Sequence, residues 1–148
     1  MTRNVLRSIV VTAPPERAYA IWSDFESFPR FMGPVVRVQV DGHRLYWRAM
    51  FDGGAVEWEA AVVELTPSRR VAWHASGERQ QNVVVTIRPI DEAQTEVTIG
   101  AEYRANSETH ARRTVRFEEY LRAFKELVEE PSLGDWTIGG DQPPGESV

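Results

Sequence analysis

The chain has 148 residues, a formal net charge of −5 and no cysteine. This length suits one domain with a core of ordinary size. The lack of cysteine excludes disulfides, thiolate metal sites and cysteine nucleophiles, and it suits a reducing cytoplasm. Because basic residues are mixed with acidic ones throughout, nucleic-acid binding is not expected. We therefore predict a cytoplasmic, single-domain protein.

The sequence predicts neither a signal peptide nor a membrane span. The apolar run at residues 9–11 is interrupted by Thr12 and two prolines, so it is too short for the core of a signal peptide. No segment reaches the length that a bilayer requires of a helix. We expect a soluble protein that is not exported.

The first part of the chain predicts one strand and two short helices. Residues 5–12 are rich in Val and Ile and favour a strand. Two prolines then suit the first turn of a helix that continues to about Ser23, with Trp22 facing inward. A second short helix ends at Gly33 and has apolar residues at spacings of three to four. These residues are Phe25, Phe28, Phe31 and Met32.

Alternating apolar residues predict six further strands between residues 36 and 103. Turn signals recur about every ten residues, which is typical of an antiparallel meander. Such a sheet normally has one apolar and one solvated face. The predicted apolar face includes Val36, Val38, Val40, Leu45, Trp47, Ala49, Phe51, Val56, Trp58, Ala60, Val62, Val71, Trp73, Ala75, Val83, Val85, Ile87, Val97, Ile99, Ala101 and Tyr103.

A long amphipathic helix is predicted from about residue 107 to Glu130, where Pro131 ends it. Residues 1–131 thus form one predicted α+β domain, and residues 132–148 form a flexible tail rich in Gly, Pro and Asp. A curved sheet around a single helix encloses more volume than the helix fills, which predicts a pocket. The apolar stripe of the helix is Phe117, Tyr120, Leu121, Phe124, Leu127 and Val128.

Six short segments carry a family resemblance. They are residues 8–16, Ala20-Ile21-Trp22, residues 24–32, Val56-Glu57-Trp58-Glu59-Ala60, Arg70-Val71-Ala72-Trp73 and residues 121–129. In this order and spacing they resemble the START-like superfamily, also called SRPBCC, in its polyketide cyclase/dehydrase (coenzyme Q-binding-like) branch. The resemblance covers about residues 3–130. It implies a helix-grip fold, in which a curved antiparallel sheet of about seven strands wraps around a long C-terminal helix, with two short helices after the first strand.

The resemblance also implies a deep cavity. Members of the superfamily bind lipids, sterols, quinones, plant hormones or polyketides, and a minority are enzymes. The ligand-binding residues that follow for this chain are Phe28, Met32, Val35, Trp47, Trp58, Ala60, Val62, Trp73, Ile99, Phe117, Tyr120 and Phe124.

The same resemblance weakens a catalytic interpretation. Aromatic polyketide cyclases of similar sequence line the cavity with a Tyr, a Ser, two Arg and an Asn. In an ungapped comparison those positions hold Val35, Ala60, Val62, Ala75 and Tyr120. Cyclisation by aldol chemistry needs groups that move protons and stabilise an enolate. Only Tyr120 keeps a polar atom, so we predict no catalytic residue.

Trp47, Trp58 and Trp73 admit two interpretations. Buried aromatic residues usually fill a core. The resemblance favours pocket lining for Trp47 and Trp58, and for Trp73 both interpretations stay open.

The three histidines, His43, His74 and His110, lack a metal-ligand spacing, so no metal and no cofactor is expected. His43 follows a turn glycine and should be solvated, and His74 should point away from the pocket.

Glu57 and Glu59 share a face and could imitate a catalytic carboxylate pair. We prefer a solvated sheet face on which cross-strand arginines oppose them. The candidate partners are Arg37, Arg44 and Arg48.

The leading hypothesis is a non-catalytic carrier or sensor of a hydrophobic, ring-containing molecule such as a lipid, quinone or polyketide. Buried apolar area would supply the affinity, with Tyr120 and either His110 or Thr114 as polar anchors. The alternative is a polyketide cyclase or dehydratase with Tyr120 as the acid or base. A protein-interaction role is a third possibility and would require a filled cavity and an exposed apolar patch. The protein is expected to be a monomer or homodimer.

Overall fold

The computed structural model describes residues 2–51, 53–76, 80–104 and 107–130, with the side chains of residues 107–114 outside that description. The predicted tail at residues 132–148 also lies outside the described residues. Within them the chain forms seven strands, two α-helices and one 3₁₀ helix. The elements are β1 Thr2–Val11, α1 Pro15–Trp22, the 3₁₀ helix Phe25–Arg30, β2 Val35–Asp41, β3 Arg44–Phe51, β4 Gly54–Thr66, β5 Arg70–Ala75, β6 Gln81–Pro89, β7 Thr95–Arg104 and α2 Ser107–Val128.

The strands form one antiparallel sheet in the order β1-β7-β6-β5-β4-β3-β2. β2 to β7 are a meander, and the segment containing α1 and the 3₁₀ helix carries the chain from β1 at one edge to β2 at the other. α2 packs against the inner face of this curved sheet, closest to β1. The predicted helix-grip α+β fold is confirmed.

Strict alternation along the strands places apolar side chains inside. β7 shows it most clearly, because Val97, Ile99, Ala101 and Tyr103 are buried while the residues between them are not. α1 buries Trp22 completely, as its predicted inward position requires. Each large apolar side chain buried in this way stabilises the fold by about 1.5–3 kcal/mol.

The predicted inner face of β2 is wrong at Val36. Val38 is buried, but Val36 is 51% exposed and Val40 is 38% exposed. The register against β3 shifts between Val35 and Arg37, so a β-bulge inserts one extra residue at Val36. A bulge reverses the alternation locally, and the inward positions become Val35 and Val38. Val40 keeps its predicted face, opposite the buried Leu45, and is partly exposed because it lies near the β2–β3 turn.

The end of β1 is tied to the end of α2 by polar contacts. The backbone N–H of Thr12 donates to the carboxylate of Glu129 over 2.7 Å, and the Lys125 ammonium donates to the Val10 carbonyl over 3.4 Å. Lys125 also forms an ion pair with Glu129. The hydrogen bond from Lys125, followed by that from the Thr12 backbone, lowers the pKa of the Glu129 carboxyl. These contacts fix the helix terminus on the edge strand.

Candidate ligand-binding site

The inner face of the sheet carries a cluster of aromatic side chains centred on Phe28. We call it the aromatic cluster, and its members are Trp22, Phe25, Phe28, Phe31, Trp47, Trp58, Trp73 and Phe124. The Phe28 ring centroid lies 5.7 Å from that of Trp47 and 5.5 Å from that of Trp73. Because the 3₁₀ helix turns every three residues, Phe25, Phe28 and the following Phe31 reach the same cluster. Residues from α1, the 3₁₀ helix, three strands and α2 therefore meet there.

Trp58 is the most exposed member of the cluster, and Trp47 packs against it. They are directly opposite each other in the β3–β4 register, and their rings stack with centroids 5.5 Å apart and planes 9° apart. Trp47 is buried and Trp58 is half-buried. Farther along the same strand, the Arg116 guanidinium of α2 lies 4.7 Å from the centroid of the Phe51 ring. This cation–π contact joins the long helix to the β3–β4 hairpin beside the stacked pair.

The indole N–H groups of Trp22, Trp47 and Trp73 have no hydrogen-bond acceptor among the described residues. All three side chains are less than 5% exposed. Buried tryptophans usually find an acceptor for this group, and leaving a donor unsatisfied costs about 1–3 kcal/mol. An acceptor atom on a bound molecule would therefore be stabilised here.

The structure brings all twelve predicted ligand-binding residues into one apolar interior. Ten of them are buried, and only Trp58 and Val62 are half-buried. Phe117 and Tyr120 lie on α2 with ring centroids 6.1 Å apart. The role of all twelve residues in ligand binding stays a prediction. The suggested anchors His110 and Thr114 fall outside the described side chains.

Two polar residues on the inner face of the sheet, Arg3 and Gln81, were not predicted from the sequence. They lie on the two strands beside β7, and both are opposite Tyr103, which was predicted to face inward. Tyr103 is buried, while Arg3 and Gln81 are half-buried. Arg3 and Gln81 each precede an inward valine, Val5 or Val83, by two residues, so the two-residue period of the strands could have identified them. They give the interior a polar end.

The outer face carries the predicted ion pairs. Arg48 and Glu57 approach to 2.8 Å, and Arg44 and Glu59 to 3.2 Å. Both acids are therefore neutralised on the solvated side of the sheet, as expected. Arg37 forms no ion pair with a described residue, because the register places it opposite Arg48 rather than beside either glutamate.

The two described histidines are where the sequence analysis put them. His43 is exposed at the β2–β3 turn, and His74 is on the outer face, where its ring hydrogen-bonds Asn82. Among the described residues no group of His, Cys, Asp or Glu has an arrangement that could hold a metal ion. None of the described helices is long and apolar enough to cross a membrane.

Comparison with known proteins agrees with this architecture. Residues 11–131 match the family described as polyketide cyclase / dehydrase and lipid transport. An uncharacterized 17.2 kDa protein of Streptomyces lincolnensis is 32% identical over 145 residues, covering 90% of this chain and 95% of that protein.

Two solved structures share the fold at lower identity. A START superfamily protein from Mycobacterium smegmatis superposes with a TM-score of 0.77 at 16% identity, covering 85% of this chain and 97% of that one. The Zhui aromatase/cyclase from a Streptomyces species superposes with a TM-score of 0.67 at 14% identity, covering 95% and 98%. With the family match over most of its length and a helix-grip architecture, the chain belongs to the polyketide cyclase/dehydrase and lipid transport family.

Proposed function

We propose that this protein holds a hydrophobic, ring-containing molecule between the curved sheet and α2, as a non-catalytic carrier or sensor. The observation that carries the proposal is the stacked Trp47–Trp58 pair, which offers an aromatic wall at the accessible side of the interior. The family to which the chain belongs supports a hydrophobic ligand.

In this proposal, apolar contacts supply most of the affinity and a few polar groups orient the ligand. Removing apolar ligand and wall surface from water contributes about 25 cal/mol per Å². The indole N–H groups of Trp47 and Trp73 are the donors closest to the stacked wall and can bind a carbonyl or hydroxyl oxygen. Tyr120, buried on α2, supplies a further polar atom. A flat ring with an oxygen substituent fits this combination best.

A cyclase or dehydratase is the second candidate, and the buried Tyr120 is the observation that favours it. The fold shared with an aromatase/cyclase is compatible with it. Against it, Val35, Ala60 and Ala75 are buried and apolar at positions where the related cyclases carry polar groups. Tyr120 can donate a proton, but the apolar residues at those three positions supply no group that would stabilise an enolate. We therefore favour binding over catalysis.

The proposal also covers the cellular compartment and the oligomeric state of the protein. A chain without cysteine suits the cytoplasm. Its acidic balance gives no basic surface for nucleic acid. We expect a monomer or homodimer that exchanges its ligand with solution.

Native mass spectrometry of the protein purified gently from its own host tests this function. We expect an adduct of defined mass that denaturation releases. As a second arm, the emptied protein is titrated calorimetrically with 1-naphthol, a two-ring phenol. Saturable binding accompanied by quenching of tryptophan fluorescence supports the proposal. Absence of both an adduct and naphthol binding contradicts it.

A further inference from the structure

A second concave site lies at the edge of the helix-grip interior, with which it shares Phe25 and Val62. It is a cleft of about 340 Å³ between the start of the 3₁₀ helix, the β2–β3 turn and the outer part of β4. We call it the outer cleft. This volume is at the lower end of the range for small-molecule pockets, and it suits a molecule with one ring. All the residues that line it are described.

The outer cleft combines an apolar floor with an acidic rim. Phe25, Val40, Val62 and Leu65 supply apolar surface, and Val40 and Leu65 remain 38% and 48% exposed. Exposed aliphatic side chains gathered in a concavity gain most from being covered by an apolar group. The floor therefore favours a ligand with a hydrophobic part.

The rim carries the carboxylates of Asp24 and Glu26 beside His43. Glu26 accepts a hydrogen bond from the Val40 backbone N–H over 3.3 Å, which holds it at the rim. Neither carboxylate forms an ion pair with a described residue. By contrast, the neighbouring Glu64 of β4 lies 3.0 Å from the Arg70 guanidinium. The rim is thus negatively charged without an internal counterion, in a chain of net charge −5.

From this charge and shape we infer that the outer cleft binds a small organic cation, namely a primary ammonium group joined to one apolar ring. The ammonium would lie between the Asp24 and Glu26 carboxylates, and the ring would cover Val40 and Leu65. Ammonium groups pair with carboxylates and donate up to three hydrogen bonds. A free amine of this kind is therefore the inferred occupant.

The outer cleft adjoins the interior through Phe25 and Val62. Phe25 lines the cleft, is 4% exposed, and contacts Trp73 with ring centroids 5.8 Å apart in an edge-on arrangement. The inference does not depend on the proposed function, because Asp24, Glu26, Val40 and Leu65 are not among the predicted ligand-binding residues of the interior. Occupancy of the outer cleft can nevertheless be detected through Trp73.

Titration of the full-length protein at pH 7 with 2-phenylethylamine tests the inference. Amide chemical shifts of residues 23–26, 40–43 and 62–65 should move and saturate. The uncharged isostere 2-phenylethanol should bind at least about fivefold more weakly, the scale of one exposed charge interaction. N-α-acetyl-lysine amide, which has the ammonium without a ring, should bind more weakly than 2-phenylethylamine, and tighter binding of the lysine compound would contradict the inference.

Two variants localise the binding. Asp24→Asn should weaken 2-phenylethylamine by about fivefold, and Leu65→Lys, at an exposed position, should abolish binding by placing an ammonium in the cleft. Glu57→Gln, at a paired acid outside the cleft, is the control and should bind normally. Equal affinity for amine and alcohol, or unchanged binding by Leu65→Lys, overturns the inference. Unchanged 1-naphthol binding in Leu65→Lys shows that the interior site is separate.

Discussion

Trp47 and Trp58 face each other across β3 and β4 with ring planes 9° apart, yet only Trp47 is fully enclosed. The difference follows from position, because Trp47 also contacts Phe28 and Trp73 within the aromatic cluster. A stacked pair with one enclosed member presents a flat surface to an incoming ring. We therefore assign the structural role in the cluster to Trp47 and the proposed binding role to Trp58.

Replacing Trp58 with alanine should weaken binding more than it weakens the fold. We expect 1-naphthol affinity to fall by about tenfold or more, as for an aromatic anchor. Because Trp58 is half-buried, the free energy of unfolding should fall by only about 1–2 kcal/mol. Calorimetry and urea denaturation measure the two quantities.

Trp73→Ala is the matched control for that substitution. Trp73 is 3% exposed and contacts Phe25, Phe28 and Trp47. Its removal should lower the free energy of unfolding by about 3–5 kcal/mol, as expected for truncation of a large buried aromatic residue. If Trp58→Ala costs as much stability as Trp73→Ala, Trp58 is a core residue and its predicted binding role is wrong.

Glu129 should make stability depend on acid pH. Its pKa is lowered in the folded protein, so its contribution is present above the unfolded-state pKa and is lost as pH falls through the folded-state pKa. Glu129→Gln should lower the free energy of unfolding by about 1 kcal/mol at neutral pH. It should also make the free energy of unfolding fall less steeply as the pH is lowered.

The control for this prediction is Glu126→Gln on the same helix. Glu126 is exposed and forms no ion pair with a described residue, so its replacement should change stability by less than about 0.5 kcal/mol. Urea denaturation at several pH values provides the comparison. Identical profiles for Glu129→Gln and Glu126→Gln would contradict the role of the Glu129 contacts.

Thr95→Val should destabilise the connection between β1 and α1. The Thr95 hydroxyl is completely buried and donates to the Ala13 carbonyl over 2.7 Å. Valine keeps the shape but removes the donor, at a cost of about 1–2 kcal/mol. Thr98→Val, at a position on the same strand where the hydroxyl meets Ser8 on the outer face, should cost less than about 0.5 kcal/mol. Thermal unfolding checks both, and equal losses would contradict the prediction.

Much of the architecture follows from the sequence, because strand periodicity decides which side chains are inside. The faces of β3 and β7 and the stripe of α2 are examples. The inward face of β2 was mispredicted because a bulge at Val36 changes the period, and alternation alone does not reveal where an extra residue is inserted. Local chemistry also predicted the Arg44 and Arg48 ion pairs, since the partners are on adjacent strands.

The outer cleft could not be predicted from the sequence. Asp24, His43 and Leu65 belong to three segments that meet only after the sheet has formed. The unsatisfied indole N–H groups could not be predicted either, because the sequence shows a tryptophan but not whether an acceptor lies beside it. Three-dimensional packing determines both features.

The contacts between β1 and α2 also bear on how the protein avoids self-association. β1 is an edge strand, and an open edge can pair with another chain. The Lys125 ammonium donates a hydrogen bond to the Val10 carbonyl, and the Glu129 carboxylate accepts one from the Thr12 N–H. The Arg7 guanidinium donates to the Leu6 carbonyl. A second copy would have to displace these charged groups before it could add a strand. Protonation of Glu129 would loosen that protection, so acidic solutions favour aggregation through this edge.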